Sequence, residues 1–271
     1  MNQPTVSILI PTFNRENFIT ETVQSALVQT YQDFEIVIVD NQSTDRTYEV
    51  CLDLAKIDSR IKVYQNEKNI GPVRNWQKCV DFARGKYGKI LFSDDLMYPQ
   101  FLEKTLPFLE DPNVGFVFTS AKVGANETDA KEAFQYQSDL VKSSQYIRDV
   151  LLNLHPLPVS PCSSLFRIED LKKNILTDIP SSSVQDFSSH GAGPDLLLML
   201  LTANNYTYIS HITDCLAFFR RSTDNLTASL QRKSDSPCYL SQCYDESKYW
   251  FSKNNGLYFI SLYLFLKKML L

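Results

Sequence analysis

The sequence is poor in glycine, with 8 among 271 residues. No G-x-G-x-x-G follows a predicted strand, and no G-x-x-x-x-G-K-[ST] occurs in the chain. Both patterns build the backbone loops that hold phosphates in dinucleotide-binding and P-loop proteins. Any diphosphate site in this chain would therefore have to depend on a metal ion and side chains.

Residue patterns typical of several other classes are also absent. The six cysteines include no C-x-x-C pair, so the spacing gives neither a zinc site nor a disulfide framework and favours reduced thiols in a cytoplasmic protein. The three histidines form no spaced metal cluster. The net charge is −4 and no basic run is dense, so we expect no nucleic-acid partner. The N-terminus enters a predicted strand directly, which predicts no signal peptide.

Short apolar runs alternate with helical patterns through the first 121 residues. Strands are predicted at residues 6–10, 35–39, 61–64, 90–92 and 114–119. This alternation indicates βαβ units, hence a mostly parallel sheet covered by helices on both faces. The predicted fold class is therefore α/β.

Polar residues follow three of these strands at the point where each one ends. They are Thr12, Asp40, and the adjacent pair Asp94 and Asp95. In an open α/β sheet, ligands bind at the edge where parallel strands end. Adjacent carboxylates repel each other unless a cation or hydrogen-bond donors compensate them. A divalent cation that also holds a diphosphate is one such compensator, so the pattern predicts a nucleotide-like ligand.

The second half of the chain is less regular. Residues 124–138 read as a polar loop, and 207–212 and 216–219 as two further strands. Residues 257–271 are apolar nearly all round, but 15 residues are too few to span a bilayer. This stretch predicts either peripheral contact with the inner face of a membrane or a helix packed on the domain or at a dimer contact.

Five segments, in this order and at these spacings, resemble the GT-A-fold glycosyltransferases of the family-2 type. Residues 6–15 (VSILIPTFNR) are similar to that family's opening strand and loop. Residues 37–45 resemble its second strand, and 69–75 match its N-x-G-x-x-R-N element. Residues 92–99 resemble a variant of its metal motif, S-D-D-x-x-x-P. Residues 216–220 are similar to a strand near the C-terminal end of the family's domain.

The resemblance implies a GT-A (Rossmann-like) domain over residues 1–230, with a donor half at about 1–121 and an acceptor half at about 122–230. Residues 231–271 are then a C-terminal helical extension. The implied activity is inverting transfer of a sugar from a nucleotide-diphospho-sugar, UDP-linked, to a glycan or lipid-linked acceptor in surface polysaccharide synthesis. The oligomeric state is left open.

The resemblance also implies roles for the matched residues. The nucleotide-sugar would be bound by Pro11, Thr12, Phe13, Asp40, Asn69, Arg74, Ser93, Asp94 and Asp95. Thr12 and Asp40 would hold the base, and Arg74 would contact the base or a phosphate. Asp94 would bind the ribose or the donor sugar. Asp95 would bind Mn²⁺ or Mg²⁺, which neutralises the leaving diphosphate.

Asp195 is the implied general base, at the start of a predicted apolar helix. The family usually has Glu-Asp there, whereas this chain has Pro194 before Asp195, so a helix-capping aspartate is the structural alternative. Asp186, in the preceding loop, is the second candidate base.

The metal motif is shorter than the family's fuller form. The position of its first Asp is taken by Ser93 or by Phe92, depending on register, and Asp95 binds the metal almost alone. Ser222 stands where many relatives have a histidine. These departures leave an alternative function open, a catalytically degenerate nucleotide-sugar-binding protein of a glycan assembly complex.

Overall fold

The computed structural model describes residues 3–136, 139–157, 160–181, 184, 186–222 and 239–269. Within these ranges the chain forms one ten-stranded sheet and nine α-helices. The strands are β1 (Val6–Thr12), β2 (Phe34–Asp40), β3 (Ile61–Gln65), β4 (Tyr87–Ile90), β5 (Leu96–Met97), β6 (Val114–Gly124), β7 (Lys131–Ala133), β8 (Leu140–Lys142), β9 (Ser164–Arg167) and β10 (Tyr208–Arg220). The helices are α1 (Ile19–Leu27), α2 (Thr47–Ile57), α3 (Pro72–Phe82), α4 (Phe101–Thr105), α5 (Ser143–Leu151), α6 (Ile168–Asn174), α7 (Pro194–Asn204), α8 (Tyr239–Asn254) and α9 (Tyr258–Met269).

The sheet order is β3-β2-β1-β4-β9-β6-β10-β5. The ladders β3-β2-β1-β4 and β6-β10 are parallel. The short strand β9 joins these two parallel blocks and is antiparallel to both of its neighbours. Most paired residues thus lie in parallel ladders, and the predicted α/β class is confirmed.

Alternate residues along each central strand face opposite sides of the sheet. Ile8 and Ile10 pack in one apolar cluster with α1, α2 and α4, whereas Leu9 packs in the other with α3, α6 and α7. Helix α7 is buried on nearly every side, which explains why its sequence is apolar all round.

The C-terminal helix α8 joins the second cluster, where Cys243 and Phe251 are fully buried. The predicted boundary between residues 230 and 231 lies outside the described residues. In the part of the chain that the structure describes, no helix is both long enough and apolar enough to cross a bilayer. The five cysteines described there are free thiols.

Two details of the predicted second half were wrong. Residues 207–212 and 216–219 are not separate strands, since β10 continues through them with a register break between Ile212 and Cys215. Pairing with β6 along its length holds β10 together across this irregularity. The predicted loop at 124–138 contains the short strand β7, which pairs with the end of β6.

Candidate active site

The ends of β1, β2 and β4 meet at one edge of the sheet, where Thr12 lies beside Asp40 in register. A cavity of about 970 Å³ opens there. Of the predicted site residues, all but Asp40 line it: Pro11, Thr12, Phe13, Asn69, Arg74, Ser93, Asp94, Asp95, Asp186 and Asp195. The geometry therefore brings the predicted donor residues and both candidate bases to one place.

Asp40 is buried behind this wall. Its carboxylate accepts hydrogen bonds from the Ser43 backbone N–H at 3.0 Å and from Gln65 Nε2 at 3.0 Å. The Ser43 hydroxyl donates to its other oxygen at 2.5 Å. Asp40 thus fixes the turn after β2 in this structure, and its contact with a base stays a prediction.

Thr12 is the opposite case. Its side-chain hydroxyl is buried, and it has no hydrogen-bond partner among the described residues. Its backbone carbonyl accepts from the Asn41 N–H at 2.8 Å, which fixes the strand end. Since buried polar groups are nearly always paired in folded proteins, a lone hydroxyl on a cavity wall favours a ligand partner.

The loop after β1 is tied to the turn after β2 by Asn14. Asn14 has a φ of 52°, in the left-handed region that asparagine tolerates better than most residues. Its backbone N–H donates to Ser43 Oγ at 2.9 Å, and its Oδ1 accepts from the Thr44 N–H at 2.8 Å. These bonds set the course of the chain towards Arg15, which faces the aspartate pair.

The N-x-G-x-x-R-N segment is held by asparagine side chains. Asn41 Nδ2 donates to Asn69 Oδ1 at 3.0 Å, and Asn41 Oδ1 accepts from the Ile70 N–H at 3.0 Å. Gly71 has a φ of 83°, and a Cβ there would lie 2.9 Å from the Ser188 carbonyl oxygen. Glycine is therefore required, and α3 begins where Arg74 enters the cavity and donates to the Ser188 hydroxyl.

Asp94 and Asp95 occupy the link between β4 and β5. Asp94 Oδ2 forms an ion pair with Arg15 Nε at 3.3 Å, and Asp95 Oδ1 accepts from the Arg220 backbone N–H at 2.9 Å. Burial, and then the charge of Asp94, raise the pKa of Asp95 to about 7. The buried Lys89 ammonium partly offsets this rise. The charge of Asp94 thus disfavours ionisation of Asp95, as expected for adjacent carboxylates.

Arg220 at the end of β10 holds this link in place. Its Nε donates to the Asp94 carbonyl at 2.9 Å, and its Nη2 pairs with Glu21 of α1 at 2.6 Å. From the sequence alone, Arg220 fits either a phosphate contact or an exposed position. The structure shows Arg220 in the cavity lining, in direct hydrogen-bond contact with Asp94 and Asp95.

Asp195 is half-buried at the first turn of α7. Its Oδ1 accepts from the N–H groups of Gly193 at 2.9 Å and Leu196 at 2.7 Å. Its Oδ2 accepts from the Tyr244 hydroxyl at 3.0 Å. Burial raises the pKa of Asp195 to about 7, although these hydrogen bonds act in the opposite direction. A carboxylate with a pKa near the working pH suits a general base.

Asp186 differs in its electrostatics. Its carboxylate accepts from the Ser188 hydroxyl at 2.6 Å and from the Ser188 N–H at 3.0 Å. These bonds lower the pKa of Asp186 below its ordinary value. Both candidates line the cavity, but a more acidic carboxyl is the weaker base.

Several lining residues were missed by the sequence reasoning. Arg15 ends the segment at residues 6–15 and could have been found from the sequence. A cation at the sheet edge where carboxylates are predicted is a candidate partner for them. Tyr244 could not have been found in this way, since it lies 49 residues from its partner Asp195. His190, one of the three histidines that form no spaced metal cluster in the sequence, also lies in the cavity wall.

The described residues include no group of three or more His, Cys, Asp or Glu side chains that could hold a metal ion by themselves. Asp94 and Asp95 are two carboxylates at the cavity wall. Mg²⁺ is commonly held by one or two carboxylates together with substrate phosphates and water. The donor set therefore fits a metal shared with a diphosphate rather than a metal enclosed by protein.

The fold is shared with solved glycosyltransferases. *Staphylococcus aureus* TarS 1-349 in complex with UDP-GlcNAc superposes with a TM-score of 0.67 and 21% identity. The match covers 92% of this chain and 73% of that one. The GT-A class of fold is thereby confirmed.

The family follows from the sequence match. The model of glycosyl transferase family 2 matches residues 7–175. This chain therefore belongs to that family.

Two relatives illustrate how far the likeness extends. An uncharacterized glycosyltransferase of *Rickettsia conorii*, RC0461, is 41% identical over 120 residues, which are 44% of this chain and 20% of that protein. A *Bacillus subtilis* protein, TuaG, provisionally named a teichuronic acid biosynthesis glycosyltransferase, is 31% identical over 150 residues, 55% of this chain and 60% of its own. The chain thus spans only part of the length of each relative.

Proposed function

We propose that this chain is a glycosyltransferase that moves a sugar from a nucleotide-diphospho-sugar, UDP-linked, to a hydroxyl of a glycan or lipid-linked acceptor. The reaction inverts the anomeric centre and serves surface polysaccharide synthesis in the cytoplasm. The observation that carries the proposal is the cavity itself. Asp195 lines it together with Thr12, Arg74 and the aspartate pair. One site thus offers donor-binding groups and a base.

The donor side is supported by three features. The Thr12 hydroxyl is buried without a partner among the described residues, and Arg74 supplies a cation in the wall. The cavity, at about 970 Å³, lies within the range of small-molecule sites. The UDP-linked class rests on TarS, a solved neighbour that binds UDP-GlcNAc.

Mn²⁺ or Mg²⁺ would be held by Asp95, with Asp94 beside it. When bound, such a metal supplies a Lewis acid for the charge that develops on the leaving diphosphate. Arg15 and Arg220 hold the two aspartates in place from the protein side. The two carboxylates that would hold the metal are therefore fixed in position by these contacts.

The proton is taken by Asp195. As the acceptor oxygen bonds to the anomeric carbon and the bond to the diphosphate breaks, the acceptor O–H proton passes to Asp195 Oδ2. Such transfer to a positioned base typically accelerates a reaction about 10²–10⁴-fold. Displacement in one step from the face opposite the leaving group inverts the anomeric centre.

The donor site is tested by thermal unfolding with UDP, GDP, dTDP and CDP, each with and without Mn²⁺. A ligand at about 100 times its Kd stabilises the folded protein by about 2.7 kcal/mol. We expect UDP to raise the melting temperature in a metal-dependent way, and GDP, dTDP and CDP to leave it unchanged. No rise with any nucleotide would exclude the donor-site assignment.

The base is tested by UDP release from UDP-GlcNAc with water as the acceptor. We expect Asp195→Asn to lower the rate at least about 100-fold while UDP still raises the melting temperature. Asp186→Asn, in the same cavity, is the matched control and should retain most of the rate. The reverse order of effects would move the base to Asp186.

The degenerate binding protein remains the second candidate, since Ser93 or Phe92 takes the place of the first Asp of the family's metal motif and Ser222 stands where many relatives have a histidine. It predicts stabilisation by UDP without turnover in the wild type. UDP release that depends on Asp195 would exclude it.

A further inference from the structure

The base is held from two separate parts of the chain. Asp195 Oδ1 accepts from the start of its own helix, through the N–H groups of Gly193 and Leu196. Asp195 Oδ2 accepts from the Tyr244 hydroxyl of α8 at 3.0 Å. Tyr244 also lines the cavity. A helix predicted as an appendage therefore contributes a side chain to the candidate site.

Helix α8 packs tightly against the start of α7, which carries the base. Gly193 has a φ of 101°, and a Cβ there would lie 2.3 Å from Ser247 Oγ. Lys248 Nζ donates to Asn153 Oδ1 at 2.5 Å, and Phe251 is fully buried. The position of Tyr244 is thus set by the packing of the helical turns that directly follow it.

We propose that Tyr244 is a positioning residue for the base, whose phenol orients the Asp195 carboxylate and favours its ionised form for the acceptor hydroxyl. This inference rests on the proposed function of Asp195. It makes α8 part of the active site.

The chemistry of the contact supports this role. Burial, and the charge of Asp195, raise the pKa of the Tyr244 phenol well above its ordinary value, so the phenol stays a donor. A hydrogen bond donated to the charged form of a carboxyl favours that form. Oxygen Oδ2 keeps further acceptor capacity, so it can take a second proton donor, the acceptor hydroxyl.

Other ionisable groups surround the same site. Cys243 lies beside Tyr244 on α8, His190 and Asp186 lie in the segment before α7, and Arg74 faces them from α3. All four are unchanged in a Tyr244→Phe variant. A difference between that variant and the wild type therefore reports the phenol hydroxyl.

The first experiment compares Tyr244→Phe with Tyr239→Phe by infrared titration of the full chain. The protonated carboxyl band that Asp195→Asn removes identifies Asp195. In Tyr244→Phe we expect the midpoint of this band to rise by about 1 pH unit, because a hydrogen bond to a charged group is lost. Tyr239 is the matched control because it lies on the same helix as Tyr244. Its hydroxyl lies 3.5 Å from His190 Nε2.

The second readout is UDP release from UDP-GlcNAc as a function of pH. We expect the acidic limb for Tyr244→Phe to move to higher pH by the same amount, with kcat lowered at neutral pH and the KM for UDP-GlcNAc within twofold of wild type. Tyr239→Phe should match the wild type in both respects. A purely structural Tyr244 would leave the acidic limb in place.

An unchanged Asp195 midpoint in Tyr244→Phe, or an equal change in Tyr239→Phe, overturns the inference. Should Tyr244→Phe fail to fold, ¹³C-tyrosine labelling of the wild type decides instead. One phenol resonance must then shift with pH at the Asp195 midpoint, and this shift must be lost in Asp195→Asn. If no resonance behaves in this way, the inference is overturned. UDP release unaffected by Asp195→Asn contradicts only the proposed base, because the titration is read without turnover.

Discussion

At the scale of single residues, the cavity holds polar groups in contrasting states. The Asp40 carboxylate accepts three hydrogen bonds from protein donors, whereas the Thr12 hydroxyl beside it has no partner among the described residues. Asp186 is made more acidic by hydrogen bonds, whereas burial raises the pKa of Asp195 to about 7. Environment, rather than residue type, separates the groups that fix the fold from those free to meet a ligand.

The Thr12 hydroxyl predicts a separation of binding from stability. Thr12→Val removes a buried hydroxyl that has no described partner, so we expect the free energy of unfolding to change by less than about 1 kcal/mol. Stabilisation by UDP should fall markedly.

Thr105→Val is the control, because Thr105 Oγ1 donates to the Phe101 carbonyl at 2.7 Å. It should cost about 1 kcal/mol and leave UDP binding intact. Urea unfolding with and without UDP measures both quantities. Equal stabilisation of Thr12→Val and wild type by UDP would contradict the ligand role of this hydroxyl.

The raised pKa of Asp195 predicts a pH-dependent stability difference. The carboxyl has a pKa of about 7 when folded and about 3.9 when unfolded, so the folded state binds more protons between these values. Its contribution to stability is therefore present below about pH 4 and lost as the pH rises through about 7. We expect Asp195→Asn to gain stability relative to wild type from pH 5 to pH 8.

Urea unfolding at each pH measures this difference in stability between the variant and the wild type. A difference is needed because burial lowers the pKa of His190 and His211. These two groups therefore make the wild type more stable as the pH rises, opposite to the effect of Asp195. Asp186→Asn is the control. The pKa of Asp186 is lowered, so its contribution is lost only as the pH falls below about 4. Its difference from wild type should stay constant between pH 5 and pH 8, and a constant difference for Asp195→Asn would refute the raised pKa.

At the scale of elements, the site is made of strand ends and helix starts that are tied to one another. β1 and β2 end side by side, and α3 begins against the Ser188 carbonyl. Helix α7 begins at the cavity and presents Asp195 there. Arg220, at the end of β10, braces the link between β4 and β5. Each tie crosses between elements that are distant in sequence.

The junction between Gly193 and α8 predicts a large cost of substitution. In Gly193→Ala, a Cβ would meet Ser247 Oγ at 2.3 Å, and the φ of 101° would strain the backbone. Backbone strain alone costs about 1–3 kcal/mol, and overpacking about 1–3 kcal/mol more.

Gly256→Ala provides the comparison, since Gly256 has a φ of 73° but no atom within 4 Å of the added Cβ. It should show the backbone cost without the clash. Thermal or urea unfolding of both variants measures the gap, and equal losses of stability would mean that α8 yields at this contact.

At the scale of the whole molecule, the two C-terminal helices differ in how they are covered. Helix α8 packs in the apolar cluster that contains Leu9, α3, α6 and α7. Helix α9, in contrast, has large apolar side chains exposed to water. These are Tyr258, Phe259, Leu262, Tyr263, Phe265 and Leu266, with Phe259 92% exposed. The sequence left a membrane contact and a packed or dimeric helix as alternatives, and the exposed face is compatible with a contact outside the described chain.

We predict peripheral binding of this face to membranes. The full chain should co-sediment with vesicles containing phosphatidylglycerol, because exposed apolar side chains enter the interface and basic residues meet anionic lipid. Phe259→Ser should weaken co-sedimentation and change the free energy of unfolding by less than about 0.5 kcal/mol.

Val28→Ser, at a 58% exposed position on the body of the protein, is the control and should bind vesicles like the wild type. Wild-type protein that stays in the supernatant while sedimenting as a dimer would favour the alternative, a contact between copies.

Much of the fold was predictable because parallel strands require local patterns. The apolar strands, the residues that end them and the N-x-G-x-x-R-N segment are contiguous in sequence, so the edge near Thr12 and Asp94 could be placed in advance. The continuity of β10 could not, since only pairing with β6 carries the strand through its register break. The burial of Asp40 was hidden for a similar reason, as Gln65 reaches it from the next strand.

The sequence by itself determined the α/β class, the family and the set of polar residues at one edge of the sheet. These depend on short-range periodicity and on motifs read within a few residues. The tertiary structure alone decided which candidate base has a raised pKa and which helix contacts it. Desolvation of Asp195 and its bond to Tyr244 arise from packing between segments 49 residues apart, and no local pattern encodes such a contact.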